Sequence, residues 1–198
     1  MDEQSVSWYN GPLSRLVLQV SAGMENAARG LSGMLGRTIT TGTSQAKVVR
    51  FSDLYEDIGH PETGMVGIYL RMEGDLSGQA ILILSVKSAL DVSDLLMEEP
   101  PGTSTELGEL EVSALGEVGN LTVAYFLNAM SSLTGRDLRP SPPAVMVNML
   151  GAILGVLATT AGMTGDELLI IETVIQDPQD KLVEAGFWVL PDLVSESE

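Results

Sequence analysis

The chain has 198 residues, of which 44% are apolar, so it is long enough to bury the core of one domain. Its formal net charge of −17 makes nucleic acid and anionic membranes poor partners, because phosphate groups repel an acidic surface and no cluster of lysine or arginine reverses the sign locally. The absence of cysteine excludes disulfide bonds and thiolate chemistry, and we find neither a signal-peptide pattern nor an apolar run of about 20 residues, so we expect a cytoplasmic protein.

The predicted secondary-structure elements form two similar series. The apolar patterns of the first half predict a helix at 13–35, β-rich sequence at 38–51, a hairpin at 65–85 and a short helix at 88–97. An acidic linker at 98–111 overlaps the start of a second long helix, predicted at 106–134. The later runs are rich in Val, Ile and Leu and predict strands at 145–161, 164–177 and 186–192, although 151–161 is also long enough to be a helix.

The two halves also resemble each other in sequence. The segment GLSGMLGRTI at 30–39 parallels AMSSLTGRDL at 129–138, which places the two long helices in register with each other. We therefore predict one α/β (α+β) domain over residues 1–198, internally duplicated, with pseudo-repeats at about 10–97 and 106–191. Two long helices would pack on a shared β-sheet, and each would offer one candidate functional face.

The second long helix carries the most informative pattern of the chain. At about 100° per residue, one narrow stripe holds short polar and small side chains, namely Ser113, Glu117, Asn120, Ala124, Asn128 and Ser131. The opposite face is apolar and broad, with Leu115, Val118, Leu121, Thr122, Tyr125, Phe126 and Leu133. Solvent-facing helices usually carry long charged side chains, so a stripe of short groups indicates a surface that a partner approaches closely.

Glu117 and Asn120 lie about one helical turn apart on this stripe. A carboxamide has both a donor and an acceptor, so Asn120 can hold a water molecule in a defined orientation. A glutamate in this position can be a general base, a metal ligand or a salt-bridge partner, and the residues themselves do not choose among these roles. In phosphoryl transfer, in-line positioning and charge compensation are most of what the protein must supply.

The string EVSALGEVGNLTVAYFLNAMSSLTGRDLRPSPPAV at 111–145 resembles the signature of the CheC family of chemotaxis phosphatases, in the CheC/CheX/FliY superfamily. In that family Ser or Asp, then Glu, then Asn lie on one helix, and a proline follows about two dozen residues later. Ser113, Glu117, Asn120 and Pro143 match this pattern, with Pro142 as the neighbouring candidate for the proline. The resemblance implies a CheC-like domain with the two long helices on one face of the sheet.

The resemblance also implies an activity and a set of residue roles. Asn120 would place the attacking water on the aspartyl phosphate of a CheY-type response regulator, and Glu117 would pair with the lysine of that regulator. Ser113 would be an accessory group, and Pro143 would fix the turn beside the helix face. The protein would need no metal or cofactor of its own, because Mg²⁺ is expected on the partner. A further partner expected from the family is CheD.

The first long helix departs from the family pattern. The repeat aligns Ser113, Glu117 and Asn120 with Ser14, Leu18 and Ser21, so the first helix lacks both the carboxylate and the carboxamide. We therefore expect one active site per chain, and we expect Leu18 to be covered by another subunit or by CheD. The alternative interpretation is a non-catalytic adaptor that binds CheD or a response regulator without hydrolysing anything.

Overall fold

The computed structural model describes residues 12–50, 60–75, 77–160, 167–179 and 183–192. These ranges contain the helices α1 (Pro12–Leu35), α2 (Val86–Leu96), α3 (Glu109–Thr134) and α4 (Leu150–Thr160). They also contain the strands β1 (Thr40–Thr41), β2 (Gln45–Arg50), β3 (Gly64–Gly74), β4 (Gly78–Ser85), β5 (Leu138–Pro140), β6 (Ala144–Met149), β7 (Glu167–Gln176) and β8 (Glu184–Pro191). Within the described ranges, no helix is both long enough and apolar enough to span a membrane.

The described strands form one antiparallel sheet in which the two halves of the chain exchange strands. The strand order is β1-β7-β8-β4-β3-β5, with β2 also paired to β7 and β6 also paired to β3. The first strands of each half therefore pair with the long strand of the other half, and β4 and β8 join the halves at the centre. Each half begins with a long helix and contains four of the described strands. The pseudo-repeats at about 10–97 and 106–191 stay a prediction.

Helices cover both faces of this sheet. The larger core lies between the sheet and the helices α1, α2 and α3, and its fully buried side chains include Met24, Leu115, Phe126 and Phe187. The smaller core lies on the opposite face, where α4 packs against Ile81, Trp188 and their neighbours. Adjacent residues such as Phe187 and Trp188 enter different cores because side chains alternate across a strand. The predicted α+β fold, with two long helices on a β-sheet, is confirmed.

The strand predicted over 145–161 is wrong in its second half. Strand β6 ends at Met149, and residues 150–160 form α4. Leu150, Ile153, Leu154 and Leu157 are all buried, at the spacing of one helix face, while Val156 between them is exposed. So short an apolar run is compatible with either a buried helix or a buried strand. The packing of this segment on the back of the sheet makes it a helix.

Candidate functional site

Helix α3 begins at a well-defined position. The N–H of Gly108 donates a hydrogen bond to Glu111 Oε2 at 3.0 Å, and the N–H of Val112 donates to the carbonyl of Gly108 at 3.0 Å. Glu109 and Glu111 also place negative charge in the first turn, where the helix dipole favours it. The predicted start at 106 is therefore three residues too early, and the register of Ser113, Glu117 and Asn120 is fixed from Gly108 onward.

A buried carboxylate holds the connection that leads into α3. Asp94, near the end of α2, accepts hydrogen bonds from the backbone N–H groups of Gly102, Thr103 and Ser104 at 2.8, 2.9 and 2.9 Å. Burial by itself raises the pKa of Asp94, but the hydrogen bonds from Ser104, Gly102 and Thr103 together outweigh it and leave the pKa below its ordinary value. The linker before α3 is thus anchored to the core by an ionised group.

The middle of α3 lies unusually close to the sheet. A Cβ atom added to Gly119 would lie 2.3 Å from Cγ2 of Ile68 on β3, a distance that no side chain can adopt without displacing its neighbour. Gly116 is less crowded, since its Cβ would lie 3.6 Å from Val145 Cγ2 and 3.8 Å from Pro143 Cγ. Both glycines are buried, and each immediately precedes a residue of the predicted site.

Pro143 lies against α3 at Gly116, the residue that precedes Glu117. It belongs to the turn 141–143 between β5 and β6, and that turn is tied to β3 by two hydrogen bonds. The N–H of Ser141 donates to the carbonyl of Arg71, and the N–H of Arg71 donates to Ser141 Oγ, both at 2.9 Å. Pro143 is partly buried and Pro142 is exposed, so the structure brings Pro143 rather than Pro142 to the helix.

The three polar residues of the predicted site lie together on the outward face of α3. Ser113 and Glu117 are exposed and Asn120 is partly exposed, whereas Leu115 and Val118 between them are buried. Residues three or four apart on a helix have Cβ atoms roughly 5–6 Å from each other, so the carboxylate and the carboxamide are neighbours. Among the described residues, the side chains of Glu117 and Asn120 have no hydrogen-bond or ion-pair partner, so both are available to an external group.

Two residues of the predicted apolar face are more exposed than the pattern indicates. Tyr125 is 38% exposed, although its ring lies over Gly30 of α1, where a Cβ would meet the ring at 2.2 Å. Leu133 is 54% exposed because it lies in the last turn of α3, just before the left-handed Gly135 that ends the helix.

The corresponding face of α1 has no such constellation. Leu18 is 71% exposed and Ser21 is partly exposed, while the side chain of Ser14 is outside the described part of the structure. The positions that align with Pro142 and Pro143 are Thr43 and Ser44, and Ser44 is buried with its hydroxyl 2.6 Å from Thr173 Oγ1. The first face therefore lacks the acid, the amide and the proline.

The sequence interpretation gave no role to Gly116 and Gly119, although both shape the site. Each glycine in a helix interior costs about 1 kcal/mol relative to alanine, so two of them three residues apart need a reason in packing. The sequence sign of this packing is the string Gly-Glu-Val-Gly-Asn at 116–120, in which each glycine is followed directly by a candidate functional residue.

A model of the CheC-like family matches residues 110–147, the range that contains Ser113, Glu117, Asn120 and Pro143. The CheY-P phosphatase CheC of Bacillus subtilis (strain 168) is 30% identical over 173 residues, which cover 86% of this chain and 83% of that protein. The structure of FliY from Thermotoga maritima is similar with a TM-score of 0.70 and 22% identity, over 89% of this chain and 87% of that one.

A second solved structure has the same fold. The match is to the CheX-CheY-BeF3-Mg²⁺ complex from Borrelia burgdorferi, with a TM-score of 0.58 and 17% identity over 88% of this chain and 98% of the matched chain. At this identity, as for FliY, the likeness establishes the fold alone. The identity to the Bacillus protein over most of both chains establishes more, and the chain belongs to the CheC-like family.

Proposed function

We propose that this chain is a protein phosphatase that hydrolyses the aspartyl phosphate of a CheY-type response regulator in the cytoplasm. The observation that carries the proposal is the pair Glu117 and Asn120, which lie one turn apart on an outward helix face and whose side chains have no partner among the described residues. Two relatives support the choice of substrate. One bears the name CheY-P phosphatase, and the other forms a complex that contains CheY, BeF3 and Mg²⁺.

Asn120 positions the attacking water in this proposal. Its carboxamide oxygen accepts a hydrogen bond from the water and its N–H₂ group donates one, which aims an oxygen lone pair at phosphorus. The new bond joins the water oxygen to phosphorus, and the bond between phosphorus and the aspartyl oxygen breaks. The products are inorganic phosphate, which takes up the proton of the water, and a free aspartate on the regulator. Because the transition state is loose, orientation is the main contribution required of the chain.

Glu117 anchors the regulator in this proposal. Its exposed carboxylate is free to pair with the lysine expected beside the phosphorylated aspartate of the regulator, and this pairing aligns the two surfaces. Ser113 lines the same face one turn earlier, and Pro143 shapes the surface from the turn beside Gly116. The Mg²⁺ that compensates the phosphoryl charge would belong to the regulator, and the chain would supply no cofactor.

The second candidate function is a non-catalytic adaptor that binds a response regulator or CheD. It is favoured by the face of α1, where Leu18 is 71% exposed and where neither a carboxylate nor a carboxamide is present at the matching positions. An adaptor would bind the regulator in a fixed ratio and would leave the phosphoryl lifetime unchanged.

Turnover separates the two functions. The purified chain is mixed with Mg²⁺ and with about a fiftyfold excess of a phosphorylated CheY-type regulator, and the release of inorganic phosphate is followed with time. If the chain is a phosphatase, each chain should release many equivalents of phosphate, and the release should be faster than the spontaneous loss of phosphate from the regulator. Binding of the regulator without any acceleration would refute the phosphatase and leave the adaptor.

A further inference from the structure

Three large apolar side chains are exposed around the predicted site. Leu110 on α3 is 66% exposed, and Val147 and Met149 on β6 are 47% and 54% exposed. We call these three residues the apolar rim. Single exposed apolar residues are common on protein surfaces, so what matters is whether the three are contiguous with one another and with the site.

The direction of α3 on the sheet is set by two points. Gly119 lies over Ile68 of β3, and the C-terminal end of α3 leads within four residues to Leu138, which pairs with Gly74 at the end of β3. The helix therefore runs in the same direction as β3. Its first turn must lie toward the start of β3, at Gly64.

The spacing along the helix and the strand brings the rim together. Nine residues of helix from Gly119 back to Leu110 span about 13 Å, and four residues of strand from Ile68 back to Gly64 also span about 13 Å. Because Gly64 pairs with Met149, Leu110 and Met149 lie at the same level of the sheet. By the same measure Ser113 lies near the level of Val147, which pairs with Val66.

The rim also faces the same way as the site. Val145 packs against the larger core beneath α3, and because side chains alternate along a strand, Val147 and Met149 point to that same face of the sheet. Leu110 precedes Ser113 by three residues and Glu117 by seven, so all three lie on one stripe of the helix. The apolar rim is thus a continuation of the predicted site beyond the N-terminal end of α3.

We propose that the apolar rim is the docking surface for the phosphorylated receiver domain of the regulator, and that it sets affinity and not the chemical step. This inference rests on the proposed function. A receiver whose phosphoryl group reaches Asn120 must also lie over the neighbouring turns of α3 and the adjoining end of β6. A chain of net charge −17 gains little long-range attraction to a phosphorylated, acidic site, so apolar contact must add to what the single ion pair of Glu117 supplies.

The test uses two triple variants of the full chain. The rim variant is Leu110→Gln, Val147→Thr and Met149→Gln, whose replacements keep the size and the local propensity of each residue. The control variant is Leu133→Gln, Val156→Thr and Val174→Thr, which removes exposed apolar groups elsewhere on the protein. For each, kcat and KM are measured with the phosphorylated regulator, and affinity is measured by titration with the regulator loaded with beryllofluoride and Mg²⁺.

The proposal predicts that KM and the dissociation constant rise at least about tenfold in the rim variant, with kcat within about twofold of the parent. The control variant is expected to stay within about twofold in both. Unchanged affinity in the rim variant, or an equal loss in the control, would overturn the proposal. So would a smaller oligomer in the rim variant than in the parent, without loss of regulator affinity, because the rim would then bind a second copy of the chain.

The same design separates this proposal from the proposed function. If the parent chain does not accelerate phosphate release, the phosphatase fails, and the titration with the beryllofluoride-loaded regulator still decides whether the rim binds it. If the rim triple variant does not fold, the single variant Met149→Gln replaces it, since an exposed side chain on an edge strand tolerates a polar isostere. A loss of affinity of at least about threefold is then expected, and no change would overturn the proposal.

Discussion

Gly119 lies so close to Ile68 that a Cβ atom at position 119 would be 2.3 Å from the Cγ2 of that isoleucine. The position of Asn120 therefore depends on the contact between the helix backbone at Gly119 and the side chain of Ile68. We expect Gly119→Ala to lower the free energy of unfolding by about 1–3 kcal/mol, because α3 must move away from β3 or Ile68 must leave its rotamer. Denaturant unfolding measures this change.

Gly116 provides the matched control for that substitution. A Cβ at 116 would make ordinary contacts with Val145 and Pro143, at 3.6 and 3.8 Å. Gly116→Ala should therefore leave stability unchanged or raise it by up to about 1 kcal/mol through helix propensity. Equal effects of the two substitutions would contradict the close approach of α3 to the sheet at Gly119.

Asp94 is predicted to be a major stabiliser of the linker before α3. Asp94→Ala removes the acceptor of three backbone N–H groups in a buried place, and we expect a loss of about 3 kcal/mol in the free energy of unfolding. Glu99→Gln, which alters an exposed carboxylate a few residues away, should change stability by no more than about 0.5 kcal/mol. Chemical denaturation at neutral pH would measure both changes. A decrease of less than about 1 kcal/mol in the free energy of unfolding of Asp94→Ala would contradict the anchoring role.

The contribution of Asp94 should also depend on pH. The pKa of its carboxyl is lowered in the folded protein, so the stability it adds is complete above the unfolded pKa, near 3.9, and is lost as the pH falls through the lower folded value. The stability difference between the parent chain and Asp94→Asn should therefore be constant from about pH 7 to pH 5 and shrink below about pH 4. Unfolding curves at a series of pH values test this, and a difference that grows on acidification would contradict the assigned shift.

Glu117 should act through its charge. If its carboxylate pairs with a lysine of the regulator, Glu117→Gln keeps the shape but loses the ion pair, and affinity for the beryllofluoride-loaded regulator should fall by roughly tenfold. The variant should also be less sensitive to salt than the parent chain, because a screened ion pair has been removed. Titration at two ionic strengths measures both effects. Equal salt dependence in the two proteins would argue against the pairing.

One site per chain is a further prediction. Ser21 occupies on α1 the position that Asn120 occupies on α3, and Leu18 takes the place of Glu117. Ser21→Ala should leave kcat within about twofold of the parent, because α1 has no amide with which to orient water. A marked loss of kcat would show that the first helix also takes part in catalysis.

Much of this molecule could be predicted from its sequence, because local signals agree with the final structure. The Gly-Arg pairs that aligned the halves, 36–37 and 135–136, both follow the end of a long helix, with Gly36 and Gly135 left-handed. Arg37 then binds Asp177 just after β7, and Arg136 reaches the carbonyl of Asp75 just after β3. The visible repeat thus marks matching turns in the two halves.

What could not be predicted depends on contacts between distant segments. The exchange of strands between the halves joins residues about a hundred positions apart, and no local pattern encodes it. Composition does not distinguish α4 from a strand, because a short apolar run fits either element and only its packing on the back of the sheet decides. The stripe with Glu117 and Asn120 was readable from helical spacing, but the apolar rim requires the pairing of β6 with β3.

The most direct test of the central claim compares two asparagines on the same helix. Asn120 and Asn128 both lie on the outer side of α3, two turns apart, and only Asn120 adjoins Glu117. With a saturating phosphorylated regulator and Mg²⁺, Asn120→Ala should lower kcat by about a hundredfold or more, while Asn128→Ala should leave it unchanged. Retention of kcat in Asn120→Ala, or equal losses in the two variants, would contradict the assignment of Asn120 as the residue that positions the water.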